Sequence, residues 1–221
     1  MNLPVKQDHD TKTRLLEAAC EVFAEKGYRD ATVADICDKA EANIAAVNYH
    51  FRSKENLYAE AWQHAFQQSL QAHPPDGGVS PDAPAEKRFR AKIRAFLQRG
   101  LDTRNATFLI MHMEIANPTG LLDEVRREMI APLQESMHAI IRELLGEHAS
   151  EQQVWLCGMS TIGQCIHAMA RRCLKRMPSR GDLLETQSPD TLADHIATFT
   201  LAGIRGIRRR QGRERADQQD K

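Results

Sequence analysis

Apolar residues along this chain recur at intervals of three and four, and segments rich in proline and glycine separate the apolar runs. This period is typical of amphipathic helices. The pattern predicts an all-α protein with helices over about 11–26, 33–40, 44–50, 54–72, 84–103, 105–116, 119–146, 150–176 and 189–210. Residues 73–87 hold four prolines and two adjacent glycines, which predicts a loop or a domain junction.

Capping residues place the starts of three of these helices. Thr32 precedes an apolar stripe, and Asp35 stands three residues later, as in a capping box. Asn43 and Ser53 are predicted to cap the two helices that follow, because their side-chain oxygens can accept from free backbone N–H groups.

Two breaks are predicted from glycine and proline. The first helix is expected to begin at Asp10 or Thr11 and to end at Lys26, with Gly27 as its C-terminal stop. Pro132 lies inside the predicted helix 119–146 and should kink it, since proline has no N–H to donate.

Residues 32–51 form two short helices joined by a polar turn at 41–43. The second helix has Val47 and Phe51 for the core, and its outer face is polar or small. This is a helix-turn-helix, whose second helix enters a DNA groove. The sequence therefore predicts a three-helix DNA-binding domain over 1–56, and a larger helical ligand-binding and dimerisation domain over 57–221.

Base contacts are predicted for the outer face of that second helix. Alanine permits close approach and can contact a thymine methyl group, whereas Asn48 can pair with adenine at about 1–3 kcal/mol of discrimination. The base-reading residues are predicted to be Ile44, Ala45, Ala46 and Asn48. At the N-terminus of the preceding helix, Thr32 is expected to offer its hydroxyl and a free backbone N–H to a phosphate. Asn43 can serve as a cap and as a DNA contact.

The charge distribution gives no bulk attraction for DNA. The chain has 30 Lys or Arg and 30 Asp or Glu. Residues 1–56 hold eight basic and ten acidic side chains, a net charge of −2. The usual basic footprint of a DNA-binding domain is missing. Binding must therefore depend on a few placed donors, including Arg52 and Lys54, and on their duplication in a dimer.

Residues 11–60 resemble the DNA-binding domain of the TetR family of bacterial repressors. The resemblance rests on AACEVFAEKGYRDATVADI, then Tyr49-His50-Phe51, Lys54-Glu55 and Leu57-Tyr58. The segments NIAAVNYHFRSKE and EMIAPLQESMHAIIRELLG resemble the CecR-like subgroup. The resemblance implies an all-α homodimer that binds DNA through its first three helices and a small ligand through its C-terminal domain. It also implies that Tyr49, His50 and Lys54 contact DNA phosphates.

A ligand pocket is predicted in the C-terminal part. Polar groups within apolar helices can orient a bound molecule, and methionine suits variable ligands. The candidates are Phe108, Met111, His112, Trp155, Met159, Gln164 and His167, for each of which an ordinary core role is the alternative. No HxxxH or CxxC spacing occurs, so neither a metal site nor a cofactor is predicted.

Small residues within the last two long helices predict a close helix–helix contact between two copies of the chain. They are Gly158, Gly163, Gly203 and Gly206, with Ile162, Ile166, Phe199 and Ile207 beside them. A four-helix dimer interface is expected here, as the resemblance also implies.

The sequence thus predicts a homodimeric, ligand-responsive DNA-binding regulator, a repressor that a small molecule releases from a palindromic operator. No apolar run approaches the roughly 18 residues of a membrane span, and the N-terminal segment lacks the apolar core of a signal peptide, so a cytoplasmic location is expected. One alternative is a helical small-molecule-binding protein or enzyme with a vestigial helix-turn-helix. Another is a thiol-based redox regulator that uses Cys157, Cys165 or Cys173. Effector, operator, regulated genes and the choice between repression and activation stay open.

Overall fold

A computed structural model describes residues 4–102, 105–174 and 187–219, with side chains at 10–102, 105–170 and 187–213. All regular structure in these ranges is helical, which confirms the all-α prediction. The helices are α1 Pro4–Asp30, α2 Val33–Ala40, α3 Ile44–Phe51, α4 Lys54–Ala72, α5 Ala85–Leu101, α6 Thr107–Ala116, α7 Asp123–Val125, α8 Ala131–Leu145, α9 Glu151–Leu174 and α10 Pro189–Gln219, with a π-helical segment at Arg126–Ile130. None of these described helices combines the length and apolarity needed to cross a membrane.

The chain divides into two compact units. The first comprises residues 1–72 and 102–128, and the second comprises 73–101 and 129–221. Helix α4 and helix α6 therefore pack with the helix-turn-helix rather than with the second unit. The predicted boundary after residue 56 separates a DNA-binding from a ligand-binding domain, and it stays a prediction. The compact units instead divide the chain after residues 72, 101 and 128.

The first unit has a core shared by α1, α2, α3, α4 and α6. Helix α6 is joined to α4 by the indole N–H of Trp62, which donates to the carbonyl of Thr107 at 3.1 Å. Burial of large side chains from five helices fixes the position of α3 against α1 and α4. The largest members of this core are Leu15, Phe23, Ile36, Phe51, Leu57, Trp62 and Ile110. The predicted core roles of Val47 and Phe51 are confirmed, since both are 1% exposed.

The second unit is built around α5, which packs against α8, α9 and α10. Phe89, Ile93 and Leu97 on α5 are fully buried. On its outer side, Arg90 forms an ion pair with Asp194 of α10 at 2.8 Å. At the end of α5, the buried Arg99 donates from Nη1 to the carbonyl of His73 at 2.7 Å, which anchors the loop that precedes the helix.

Several predicted boundaries are wrong. Helix α1 begins at Pro4 rather than at Asp10 or Thr11, and its range to Asp30 includes a short helical turn after Gly27. The predicted break at Gly27 is confirmed, because its φ of 76° and ψ of 169° are not helical and separate the helix before it from the short turn that follows. Pro132 lies in the first turn of α8, directly after the π-helical segment, so the disturbance precedes the proline.

Candidate nucleic-acid interface

The N-terminus of α2 is fixed by reciprocal hydrogen bonds between Thr32 and Asp35. The N–H of Asp35 donates to Thr32 Oγ1 at 3.1 Å, and the N–H of Thr32 donates to Asp35 Oδ2 at 3.0 Å. This confirms the predicted capping box. It also makes one expectation wrong, because the backbone N–H of Thr32 is engaged by Asp35 and is not free for a phosphate. The hydroxyl of Thr32 accepts in the box and still has its proton to donate.

Lys26 holds the other oxygen of Asp35. Its Nζ lies 2.8 Å from Asp35 Oδ1. The hydrogen bond from Lys26, followed by those from Thr32, lowers the pKa of Asp35 to about 2. The carboxylate is thus ionised at neutral pH and completes the cap.

The turn between α2 and α3 contains a left-handed residue and a second cap. Glu41 has φ 50° and ψ 47°, and its N–H donates to the carbonyls of Asp38 and Cys37. Asn43 Oδ1 accepts from the N–H of Ala46 at 2.9 Å, which confirms the cap of α3. The cap uses only the side-chain oxygen of Asn43, and the NH₂ group keeps its capacity to donate to DNA.

The predicted DNA-contact residues lie on an accessible surface of the first unit. Tyr49 is 74% exposed and Ile44 is 54% exposed. None of the predicted DNA-contact residues is buried. The exposed members are Thr32, Asn43, Ile44, Ala45, Asn48 and Tyr49, and the half-buried ones are Ala46, His50 and Lys54. The core side of α3 thus holds Val47 and Phe51, whereas its outer side presents a mixed polar and apolar face.

The end of α3 is joined tightly to the start of α4. Arg52 has a positive φ of 66° and donates its N–H to the carbonyl of Asn48. Asn56 donates from Nδ2 to the carbonyl of Phe51 at 3.0 Å and from its backbone to Ser53 Oγ at 3.2 Å. The predicted cap at Ser53 is confirmed. These bonds hold Lys54 at a fixed distance from the recognition helix.

Ion pairs within the first unit account for much of its acidic charge. Lys39 Nζ lies 2.6 Å from Glu21 Oε2 and 3.5 Å from Glu25 Oε1. Lys12 Nζ lies 2.9 Å from Glu60 Oε2. These carboxylates are therefore matched locally by lysines. The pairing leaves the net charge of −2 on residues 1–56 unchanged, so DNA affinity must come from the placed donors at the exposed face of α3.

Tyr28 contacts Lys54 and Glu55 at the start of α4, two residues that lie far from it in the sequence. Its ring lies under the ammonium group of Lys54, with Nζ 4.5 Å from the ring centroid. Its hydroxyl donates to Glu55 Oε1 at 2.7 Å. The two partners lie 26 and 27 positions further along the chain, so no local pattern could reveal the contacts.

The predicted ligand residues fall in two units. Phe108, Met111 and His112 are half-buried on α6 of the first unit, where the rings of Phe108 and His112 stack at 6.2 Å. The other four lie on α9 of the second unit. Trp155 and Met159 are 55% and 51% exposed. These two side chains lie on an open surface, and their assignment to a ligand stays a prediction.

The described thiols are buried. Burial raises the pKa of Cys165 to about 12 and also raises the pKa of Cys157. A protonated, inaccessible thiol is a poor redox sensor, which speaks against the thiol-based alternative at these two positions. The side chain of Cys173 lies outside the described residues.

Two sequence families match the chain. Residues 15–61 match the bacterial regulatory proteins of the tetR family, and residues 85–204 match the C-terminal domain of the HTH-type transcriptional dual regulator CecR. The second match alone covers more than half of the chain. The chain belongs to the TetR family. The resemblance carried by the recognition helix, including its CecR-like subgroup, is confirmed.

Individual proteins and solved structures are similar to this chain. The chain is 27% identical over 187 residues to the dual regulator CecR of Shigella flexneri, covering 75% of this chain and 79% of that protein. A TetR-like regulator from Rhodococcus sp. RHA1 shares the fold with a TM-score of 0.69 at 19% identity, over 93% of this chain and 100% of that one. The Bacillus subtilis regulator FadR, solved in complex with stearoyl-CoA, gives a TM-score of 0.67 at 16% identity, over 86% and 98%.

Membership of the TetR family makes this protein a DNA-binding transcriptional regulator rather than an enzyme. The expected cytoplasmic location is confirmed by the same assignment, because bacterial regulators of this family act on chromosomal DNA. The helix-turn-helix described above lies within the matched residues 15–61.

Proposed function

We propose that this protein is a homodimeric repressor that a small molecule releases from a palindromic DNA operator. The observation that carries the proposal is the exposed outer face of α3, held by caps at both ends and flanked by Lys54. Phosphate contacts from Thr32, Tyr49, His50 and Lys54 would fix the helix on DNA without reading sequence. Ile44, Ala45, Ala46 and Asn48 would read base edges, and Asn43 would add a contact from the turn.

A dimer is supported by an apolar face on the second unit. On α9, Trp155, Met159 and Ile166 are 55%, 51% and 37% exposed and lie on one side of the helix. On α10, Phe199 is 65% exposed. Contiguous apolar side chains of this kind mark protein interfaces. A two-fold dimer would place two α3 helices on half-sites about 34–36 Å apart.

Glycine positions refine this interface. A Cβ added at Gly163, Gly203 or Gly206 would meet nothing within 4 Å, so these glycines leave space on the surface for a second chain. Gly158 differs, because a Cβ there would lie 2.6 Å from His138 Nε2 of the same chain. Gly158 therefore serves the packing of α9 on α8, and its predicted place in the dimer interface is wrong.

Ligand response is supported by the position of α6 in the first unit. This helix carries Phe108, Met111 and His112, and its Glu114 accepts a hydrogen bond from Tyr58 of α4. Helix α4 begins at Lys54. A ligand that favours a different position of α6 would shift α4, and the population competent for DNA would fall. An acyl-CoA, the ligand type named for Bacillus subtilis FadR, is a reasonable first probe.

The dimer is tested by sedimentation or light scattering of the full chain. We expect twice the chain mass of 25.0 kDa. Phe199→Glu should give monomers, because it buries an unpaired charge in the interface. Ile115→Glu is the matched control, since Ile115 is 63% exposed on α6 of the first unit. A monomeric wild-type chain, or equal effects of both variants, would contradict the interface.

DNA binding is tested by selection from a random-sequence duplex pool followed by fluorescence anisotropy. We expect an inverted repeat and a steep decrease in affinity with salt. Transcription in vitro from a promoter that carries the selected site should decrease when the protein is added, and stearoyl-CoA should be tried for its reversal. Recovery of no common sequence would instead support the alternative of a vestigial helix-turn-helix.

A further inference from the structure

Tyr28 lies where the end of α1 meets the start of α4. It follows the kink at Gly27, and its ring stacks with Phe23 at a centroid distance of 6.2 Å and tilts against Tyr58 at 5.0 Å. Tyr58 and Phe23 are almost fully buried, whereas Tyr28 is only half-buried. One side of the Tyr28 ring is thus fixed by the core, and the ring also faces the ammonium group of Lys54.

Lys54 gains order from this ring. A free lysine side chain has many rotamers, and it loses much of this freedom when it binds a phosphate. A cation held over an aromatic face is attracted by the ring quadrupole. With Nζ 4.5 Å from the Tyr28 centroid, the ammonium group of Lys54 is held over the ring before DNA arrives.

Tyr28 also engages the acidic neighbour of Lys54. The hydroxyl of Tyr28 donates to Glu55 Oε1 at 2.7 Å, and this bond is the largest of the contacts that lower the pKa of Glu55. Burial, followed by the bond and charge of Glu55, raises the pKa of Tyr28 to about 12. Tyr28 therefore stays protonated and donates to Glu55, so the carboxylate next to Lys54 has a partner of its own.

We propose that Tyr28 is a positioning residue for DNA binding, whose ring orients Lys54 toward a phosphate while its hydroxyl occupies Glu55. The proposal rests on the proposed phosphate contact of Lys54. Tyr28 itself does not touch DNA in this arrangement. Its effect on affinity must therefore pass through Lys54, which distinguishes positioning from a contribution to folding alone.

The experiment uses the full chain and a fluorescein-labelled 30-base-pair duplex of mixed sequence, titrated by anisotropy between 50 and 200 mM salt. A mixed sequence suffices because phosphate contacts are independent of base identity. The variants are Tyr28→Phe, Tyr28→Leu, Lys54→Ala and the double variant Tyr28→Leu with Lys54→Ala. Phe66→Leu is the matched control, since it removes a half-buried ring that stacks on Trp62 of the same helix α4.

Lys54→Ala should weaken binding and reduce the slope of log affinity against log salt by about 0.9 for each phosphate that the protein no longer neutralises. Tyr28→Leu should weaken binding by about 2- to 5-fold per subunit, the range for an exposed cation–π contact. Tyr28→Phe keeps the ring but releases Glu55, so it should weaken binding by less than Tyr28→Leu does. In the Lys54→Ala background, Tyr28→Leu should have little further effect. Phe66→Leu should have little effect on the affinity of the otherwise wild-type chain.

Equal decreases in affinity from Tyr28→Leu with and without Lys54 would overturn the proposal, because the effect would then be structural. So would a normal affinity for Tyr28→Leu when Lys54→Ala binds weakly. If Lys54→Ala binds as wild type does, the phosphate contact and the positioning role both fail, although DNA binding itself stands. If the wild-type chain does not bind DNA, the proposed function fails as well.

A second measurement needs no destabilising variant. In the wild-type chain, the ring current of Tyr28 should shift the ε-methylene protons of Lys54 upfield in the NMR spectrum. The same shift should persist in Tyr28→Phe. A Lys54 signal at its free-peptide position in the wild-type chain would contradict the arrangement.

Discussion

The hydroxyl of Tyr58 donates a 3.1 Å hydrogen bond to Glu114 Oε2, which joins two helices of the first unit across 56 positions of sequence. The other carboxylate oxygen accepts from the backbone N–H groups of Thr119 at 2.7 Å and Gly120 at 3.1 Å. Glu114 is only 5% exposed. One buried carboxylate thus ties α4 to α6 and to the turn that follows α6.

Tyr58→Phe should lower the free energy of unfolding by about 1–2 kcal/mol, because it removes one hydrogen bond to a buried carboxylate. The phenyl ring keeps its packing against Phe23 and Tyr28. Urea denaturation followed by circular dichroism measures the change. Tyr49→Phe is the control, because Tyr49 is 74% exposed. It should change the free energy of unfolding of the chain by no more than about 0.5 kcal/mol. Equal effects at both positions would show that the Glu114 bond adds no stability.

Features that depend on neighbouring residues could be predicted from the sequence. The caps at Thr32, Asn43 and Ser53 need only a side-chain oxygen and an N–H two or three residues ahead. Val47 and Phe51 face the core because a four-residue spacing places both on one side of a helix. The exposed face of α3 follows from the same spacing. The caps, the core residues and the exposed face of the recognition helix could therefore be predicted almost completely from the sequence.

Features that depend on distant residues could not be predicted. Gly27 interrupts α1 as a helix stop does, but the contact of Tyr28 beyond it with Tyr58 of α4 joins residues 30 positions apart. Trp155 and Met159 suit a ligand pocket by composition, but their exposure depends on which side of α9 faces the core of the second unit. Periodicity identifies an apolar face without showing what covers it.

The N-cap of α2 gives a prediction for acid pH. Asp35 has a pKa of about 2 in the folded chain, against 3.8 ordinarily, because Lys26 and Thr32 bind the ionised form. This contribution is fully present above about pH 4, and it is lost as the pH falls through about 2. A carbon-detected NMR titration of the Asp35 carboxyl should give a midpoint near 2 in the wild-type chain. Lys26→Met should raise that midpoint, and an unchanged midpoint would exclude the ion pair as its main cause.

Helix packing in the second unit depends on a glycine of α5. A Cβ added at Gly100 would lie 1.8 Å from the sulfur of Met169, a fully buried residue of α9. Gly100→Ala should therefore destabilise the chain by about 1–3 kcal/mol through overpacking. Gly212→Ala on α10 meets nothing within 4 Å and should stabilise by up to about 1 kcal/mol. Thermal unfolding separates the two, and a stabilised Gly100→Ala variant would show that Met169 can move aside freely.

The turn of the helix-turn-helix holds a glutamate in the left-handed region. Glu41 has φ 50° and ψ 47°, a conformation that costs a residue with a Cβ about 1–2 kcal/mol. Glu41→Gly should remove this strain, and after the larger entropy of glycine in the unfolded chain the net gain should be about 0.5–1 kcal/mol. Glu41→Ala is the matched control, because it removes the same charge but keeps the Cβ and should give no such gain. If alanine stabilises as much as glycine, the effect comes from the carboxylate rather than from the backbone, and the left-handed strain at this turn is negligible.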